Sequence, residues 1–416
     1  MNCFFRVVIL QLLLVISEIA ASSSCGTKPS KDNKQADLRA VTTGGNVFTK
    51  NFFQSISANY INENLICSPV SLQMVMAMLS VGARGQTETQ LRSVLHLPSD
   101  KAVTRNGYQS LIDTLNSFKK VNLTLANKIY LRNGFEVESE FKKIIKNYYR
   151  SEIESLDFSN AVAASNTINA WAEAKTNNLI KNVVTPDTVE QAVMLLINAV
   201  YFKGNWKVKF DPKATVPQSF FTSASNSVNV SMMQKTSRFN YGEIPDLNAR
   251  FVELEYNSTN ADDSTSMIII LPNDIGGLQE TEKKLSNTSF EEIRKLGFNS
   301  LVQLSFPKFK IENLINLKSV LIKMGLANIF SDSANLTGIA KRPPLTVSEV
   351  YQKAYIIVNE DGTKAAAVTV VGVRALAMAQ PPEPVKFNVD RPFLYAIIHR
   401  PTNTVLFQGH VKLPTY

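Results

Sequence analysis

The order of residue patterns along this chain predicts an α+β fold. Amphipathic helical segments gather in the first half, strand-like apolar runs gather in the second, and no repeat or low-complexity block separates them. The chain has 416 residues, 44% hydrophobic and 19% charged, so it can bury a sizeable core and is not disordered over most of its length.

The first residues, MNCFFRVVILQLLLVISEIAA, carry Arg6, an apolar run over 7–16 and small residues at Ala20 and Ala21. This reads as a secretory signal peptide over 1–21, too short for a membrane span. A polar stretch over 22–45 reads as a flexible tail, followed by a single domain over 46–416. Helices are expected over 46–59 and in SPVSLQMVMAMLSVGARG, where Ser68 can cap, Pro69 suits the first helical position and Leu72, Met76 and Leu79 share a side. TETQLRSVLHL, ESEFKKIIKNYYRSEI and SNTINAWAEAKTNNLI read as further amphipathic helices. Strands are expected in AVMLLINAVYFKGNW, SMIIILP, VQLSFPKFKI, AYIIVN and FLYAIIH, several so apolar that both faces should be covered.

Removal of the leader would leave the net charge of +9 unchanged, because Arg6 and Glu18 leave together. It would also leave two cysteines, Cys25 and Cys67, whose spacing does not decide whether they pair. Sequons at Asn122, Asn229, Asn257, Asn287 and Asn335 agree with a secreted, extracellular, glycosylated product. No second long apolar run follows the leader, so no membrane span is expected.

A search for catalytic constellations returns little. G-x-S-x-G, H-E-x-x-H, the phosphate-binding G-x-x-x-x-G-K-[ST] and C-x-x-C are all absent from the sequence. His96, His399 and His410 are the available imidazoles, and none adjoins a nucleophile signature. The plain reading puts His96 at a helix end and the other two in C-terminal strands. No enzyme activity, cofactor or metal is expected.

One segment stands apart. NEDGTKAAAVTVVGVRALAMAQPP, from Asn359 to Pro382, has the small and β-branched composition of a buried strand but ends as an exposed loop. Its E-D-G-T-K-A-A-A-V-T resembles the hinge of the reactive-centre loop in serpins, the serine protease inhibitor family. F-N-V-D-R-P-F-L-Y-A-I, S-P-V-S, G-A-R-G-Q-T-E, N-A-V-Y-F-K-G-N-W and L-F-Q-G-H-V match family motifs in order over nearly the whole chain.

The resemblance implies three β-sheets with about nine helices and a reactive-centre loop over about 360–384. It also implies a suicide mechanism in which a serine protease is trapped as an acyl-enzyme while the cleaved loop inserts into the main sheet. By the same resemblance Glu360, Gly362, Thr363, Ala365, Ala366, Ala367 and Thr369 form the hinge. Ser68, Ser71, Asn198 and Gln352 belong to the region beneath the opening sheet, and Trp206 and Lys308 to its top. Gln352 stands where the family often has His, and Lys364 where an acidic residue is common. A non-inhibitory member with a carrier, storage or chaperone role is the alternative.

Residue chemistry bears on whether the loop can insert. A strand has period two, so one face takes Thr363, Ala365, Ala367, Thr369, Val371 and Val373, while Lys364 and Arg374 fall on the other. The first face is free of charge, whereas burying an unpaired Lys or Arg would cost several kcal/mol. Gly362 reads as a flexible pivot. Counting sixteen beyond Glu360, as in the family, places the reactive bond at Leu376–Ala377, which suits a chymotrypsin-like or elastase-like protease. Arg374–Ala375, which suits a trypsin-like protease, is the alternative, and Met378–Ala379 stays open.

Lys142, Lys143, Lys146 and Arg150 share a predicted helix, with Lys119, Lys120, Lys128 and Arg132 near in sequence. Such a face could bind heparin-like glycosaminoglycan, although a solvated helix face is the simpler reading. No nucleic-acid motif is present, and the protein is expected to act as a monomer.

Overall fold

The computed structural model describes residues 31–362 and 383–416. Helix α1 spans Lys31–Ser57, so residues read as a flexible tail up to position 45 are helical from Lys31 onward. The correction has a packing cause. Leu38, Val41, Phe48, Phe52 and Ile56 form one buried stripe, and its first members lie in a polar context that conceals them. Gly44 and Gly45, poor helix formers, sit where α1 touches its neighbours. A Cβ on Gly44 would lie 2.1 Å from the His96 carbonyl oxygen, and one on Gly45 2.8 Å from Gln73 Oε1.

Strand β1 (Leu65–Cys67) leads into α2 (Pro69–Gly82), which is buried on nearly every side rather than along one stripe. Its N-cap residue Ser68 makes no capping bond; the hydroxyl donates instead to the Leu406 carbonyl at 2.6 Å. Helices α3 (Gly85–Val94) and α4 (Lys101–Asn116) follow, then the long strand β2 (Val121–Arg132). Then come α5 (Ser139–Tyr149), β3 (Glu152–Leu156), α6 (Ala161–Lys175), the short α7 (Pro186–Glu190) and β4 (Met194–Gly204). Helix α4 and strands β2 and β3 are absent from the sequence reading; β2 escapes it because its polar first half is only half-buried.

The second half supplies β5 (Val216–Ser223), β6 (Asn226–Ile244), β7 (Ala249–Glu255) and β8 (Thr265–Pro272). Two short helices, α8 (Leu278–Leu285) and α9 (Phe290–Lys295), precede β9 (Phe298–Pro307) and β10 (Phe309–Asn316). The chain ends with α10 (Lys318–Lys323), β11 (Glu349–Val358), β12 (Val385–Asn388), β13 (Phe393–His399) and β14 (Thr404–Val411). VQLSFPKFKI, read as one strand, is two strands in different sheets that part after Pro307.

Among the described residues there are ten α-helices, and the strands form two hydrogen-bonded sets. One sheet has five strands in the order β10-β11-β4-β2-β3. The other has nine, because the 19-residue β6 pairs with β5 near its start, with β9 along its middle and with β7 at its end. One long strand thereby fuses what would otherwise be two sheets. Strands β8, β13 and β14 are buried at every position, which explains the apolar runs MIIIL in β8 and FLYAII in β13. No described helix is long and apolar enough to cross a membrane.

The α1 contact makes a direct prediction. Gly44→Ala improves helix propensity yet drives a methyl group into the His96 carbonyl, so stability should fall by about 1–3 kcal/mol. A rise in thermal midpoint would show that α1 does not pack there.

Candidate functional site

The functional elements meet on the five-stranded sheet. β11 runs parallel to β4, pairing from Glu349 with Leu195 to Tyr355 with Tyr201, and Gln352 lies directly opposite Asn198. Beneath this seam Ser68, Ser71, Asn198 and Gln352 are fully buried and joined in one network. Gln352 Oε1 accepts from the Ser68 amide at 2.7 Å, while its Nε2 donates to the Ser68 carbonyl at 3.0 Å and to Asn198 Oδ1 at 2.6 Å. The Asn198 amide group in turn donates to Ser71 Oγ and to Asn127 Oδ1. Asn127, on β2, was missed in the sequence because nothing marks it apart from the strand it sits in.

This geometry bears on the Gln-for-His difference at 352. A neutral imidazole offers one donor and one acceptor, whereas Gln352 here uses two N–H groups and its oxygen. The amide is therefore fully hydrogen-bonded to its partners.

At the end of β11 the chain makes a tight turn, with reciprocal backbone bonds between Asn359 and Gly362 of 3.3 and 3.0 Å. Three contacts fix it. Trp206, stacked on Tyr256 at 4.5 Å between centroids, donates its indole N–H to the Asn359 carbonyl and its amide to the Asp361 carbonyl. Lys209 Nζ lies 2.9 Å from Asp361 Oδ1. Lys308 Nζ lies 3.1 Å from Glu360 Oε2, with Thr215 Oγ1 donating to the other carboxylate oxygen at 2.7 Å. The C-terminal Tyr416 ring covers Lys308 at 4.3 Å, and its hydroxyl accepts from Asn359.

Gly362, read in the sequence as a flexible pivot, has a φ of +102°, and an added Cβ would lie 2.3 Å from the Gly204 carbonyl oxygen and 2.5 Å from the Trp206 nitrogen. Both the positive φ and the close backbone approach call for glycine at this turn. The expected hinge residues Thr363, Ala365, Ala366, Ala367 and Thr369 lie outside the described residues, as do Arg374, Ala375, Leu376 and Ala377 of the candidate reactive bonds.

The basic face also changes. Arg150 is not on α5; it follows the helix in a left-handed conformation and forms a two-pronged pair with Asp113 at 2.9 and 2.8 Å. Lys128 is buried, 2.6 Å from Glu154 and set over the Tyr130 and Trp171 rings. Only Lys142, Lys143 and Lys146 stay exposed on α5, a short stripe rather than a broad face.

Asn122, Asn229, Asn287 and Asn335 are exposed, whereas Asn257 is half-buried, its amide bonded to the Asn205 carbonyl. Cys67 is a fully buried thiol donating to the Gln408 carbonyl at 3.4 Å, and burial pushes its pKa well up; Cys25 lies outside the described residues. His399 is held between Thr402 Oγ1 and the Asp262 carbonyl, and His410 between Glu282 and the Tyr60 and Glu63 carbonyls. Both rings are occupied by structural partners. No group of three or more metal-ligating side chains occurs among the described residues.

Two predictions follow from these contacts. Gln352→His leaves one partner of the buried network unpaired and should cost about 1–3 kcal/mol, read as a lower thermal midpoint; an unchanged midpoint would mean the network re-pairs. For Glu360, burial alone would raise the carboxyl pKa, but the Thr215 hydrogen bond and Lys308 outweigh it and hold it below its ordinary value. A carboxyl depressed on folding contributes stability above its unfolded pKa and loses it as the pH falls through the folded one. Glu360→Gln should therefore be less stable than wild type by about 1–2 kcal/mol at neutral pH. That gap should close in acid, and thermal melts across the range would expose a gap that does not.

A family model described as serpin (serine protease inhibitor) matches residues 43–414. Antitrypsin of Bombyx mori is 33% identical over 383 residues, covering 90% of this chain and 96% of that protein. Iris of Ixodes ricinus is 36% identical over 355 residues, covering 84% and 92%. The crystal structure of Serpin48, described as a highly specific serpin in the insect Tenebrio molitor, superposes with a TM-score of 0.81 at 32% identity. It covers 90% of this chain and 98% of that one. With the family match over most of the chain, these relatives and this structural likeness in agreement, the chain belongs to the serpin family.

Proposed function

We propose that the protein is a secreted inhibitor of serine proteases that acts as a suicide substrate, with Leu376–Ala377 as the bond attacked. The observation that carries this reading is the arrangement around β11. The Asn359–Gly362 turn reverses the chain, so a strand continuing from it would run opposite to β11. β4, the next strand over, is parallel to β11. A returning strand laid between the two would be antiparallel to both, replacing one parallel pairing with two antiparallel ones, which pair slightly better per residue. Insertion therefore has a thermodynamic direction, and the uncharged face from Thr363 to Val373 is the one suited to enter the core.

The network of Ser68, Asn198 and Gln352 spans the seam that would have to open. Its satisfied bonds resist opening, and the Lys308–Glu360 pair and Trp206 hold the turn at the top. Release of these contacts after cleavage is the step we assign to trapping. Secretion is supported by the leader-like start and by four exposed sequon asparagines. The apolar Leu376 favours a chymotrypsin-like or elastase-like target over a trypsin-like one.

Incubation with chymotrypsin, an elastase and trypsin in turn should yield a covalent complex on denaturing gels, with a released peptide that starts at Ala377. A peptide starting at Ala375 moves the bond to Arg374. Cleavage by all three without any complex, and without a rise in melting temperature of the cut protein, would overturn the inhibitor reading in favour of a carrier, storage or chaperone role.

A further inference from the structure

We propose that the cavity of about 600 Å³ beneath the Trp206–Val208 segment binds a small oxyanion carrying at least two negative charges, of phosphate or carboxylate type. Four cationic side chains line it, Lys207, Arg238, Arg294 and Arg400, against two carboxylates, Glu253 and Glu255. The surplus is positive even when both carboxylates are ionised. Low-dielectric walls focus such a field and raise the local concentration of anions.

The cations are set in place before any ligand arrives. Glu253 is nearly fully buried and accepts from Ser266 Oγ at 2.6 Å, from Asn240 Nδ2 at 2.9 Å and from Arg294 Nε at 2.9 Å. It also lies 3.3 Å from Arg400 Nε, an atom that is shielded from solvent and has no hydrogen-bond partner. Glu255 takes Arg400 Nη1 and Lys207 Nζ, each at 2.5 Å. Arg238 has no carboxylate partner among the described residues; its guanidinium donates to the Asn299 carbonyl at 3.2 Å. A planar guanidinium without a carboxylate, beside two others held rigid, suits an oxyanion that can accept two parallel N–H bonds. Val208 and Phe239 also line it, so an organic phosphate or carboxylate can be accommodated as well as an inorganic one.

Position makes the site regulatory. The Lys207 amide donates to the Glu255 carbonyl, while the flanking amides of Trp206 and Phe210 donate to Asp361 and Glu360 of the hinge turn. The cavity and the hinge thus share one short segment. An anion bridging Lys207 and Arg238 would tether that segment to β6 and oppose the movement that loop insertion requires. Binding rests on the cavity alone; the effect on trapping rests on the inhibitor reading.

The test uses the intact protein with inorganic pyrophosphate and with malonate, at ionic strength held constant with sodium chloride, read by calorimetry and thermal midpoint. Saturable one-site binding with a raised midpoint is expected. Arg238→Gln and Lys207→Gln, both exposed positions, should each weaken it about tenfold. Binding of only one of the two anions supports the site and fixes the ligand type. Absence of saturable binding by both anions, or wild-type affinity in both variants, overturns the proposal. Neither readout needs a target protease, so a failed inhibitor reading leaves this result intact.

Discussion

The pairing of β11 with β4 is the constraint on which the molecule turns. Two parallel strands lie side by side at the centre of a five-stranded sheet, and a chain reversal sits at the end of one of them. Parallel pairing is serviceable but not the best available, so the seam is held by side chains beneath it as well as by its ladder. Buried amides and hydroxyls suit that task. Fully satisfied they rigidify the seam, yet each bond is local and can be exchanged for another as strands separate. An equivalent area of interlocked apolar side chains would open less readily.

The top of the seam follows a different physical logic. Glu360 and Lys308 are largely shielded from water, and their pairing succeeds because Thr215 and the Tyr416 ring satisfy what the ion pair leaves over. Trp206 contributes through its backbone and indole N–H as well as its stacked face. The segment after β4 that carries Trp206 also lines the cavity proposed to take an anion. Hinge, indole and cavity are therefore three uses of one segment, and a change at any of them should be felt by the others.

The remainder of the fold supplies a rigid frame. The long β6 passes through both parts of the nine-stranded sheet and fixes them relative to one another, and β8, β13 and β14 fill the interior. His399 and His410 belong to this frame, with their ring nitrogens bound to backbone and side-chain partners. In a chain with three histidines, this accounts for two of them without chemistry.

Much of the architecture was legible in the residues. Continuous apolar runs marked β4, β8 and β13, the Pro69 start marked α2, and ordered motifs carried the family. The misses have physical reasons. α1 begins in polar residues whose few apolar members look scattered until they line one side of a helix, and β2 alternates too weakly to declare itself. Asn127 looks unremarkable in a linear chain, because a hydrogen bond between residues far apart leaves no mark on sequence. The apparent basic face lost Arg150 to Asp113 and Lys128 to Glu154, since partners from other elements neutralise charges that neighbours along the chain do not. Local chemistry, which depends on residue type and short-range period, was determined by the sequence itself: the apolar run over 7–16, the small and β-branched composition of the stretch from Asn359 to Pro382, and the alternation that puts Lys364 and Arg374 in one phase of it. The order of strands, the close approach that demands Gly362 and the gathering of four cations around one cavity were decided only by the tertiary structure, because each depends on distances between segments that no local pattern encodes.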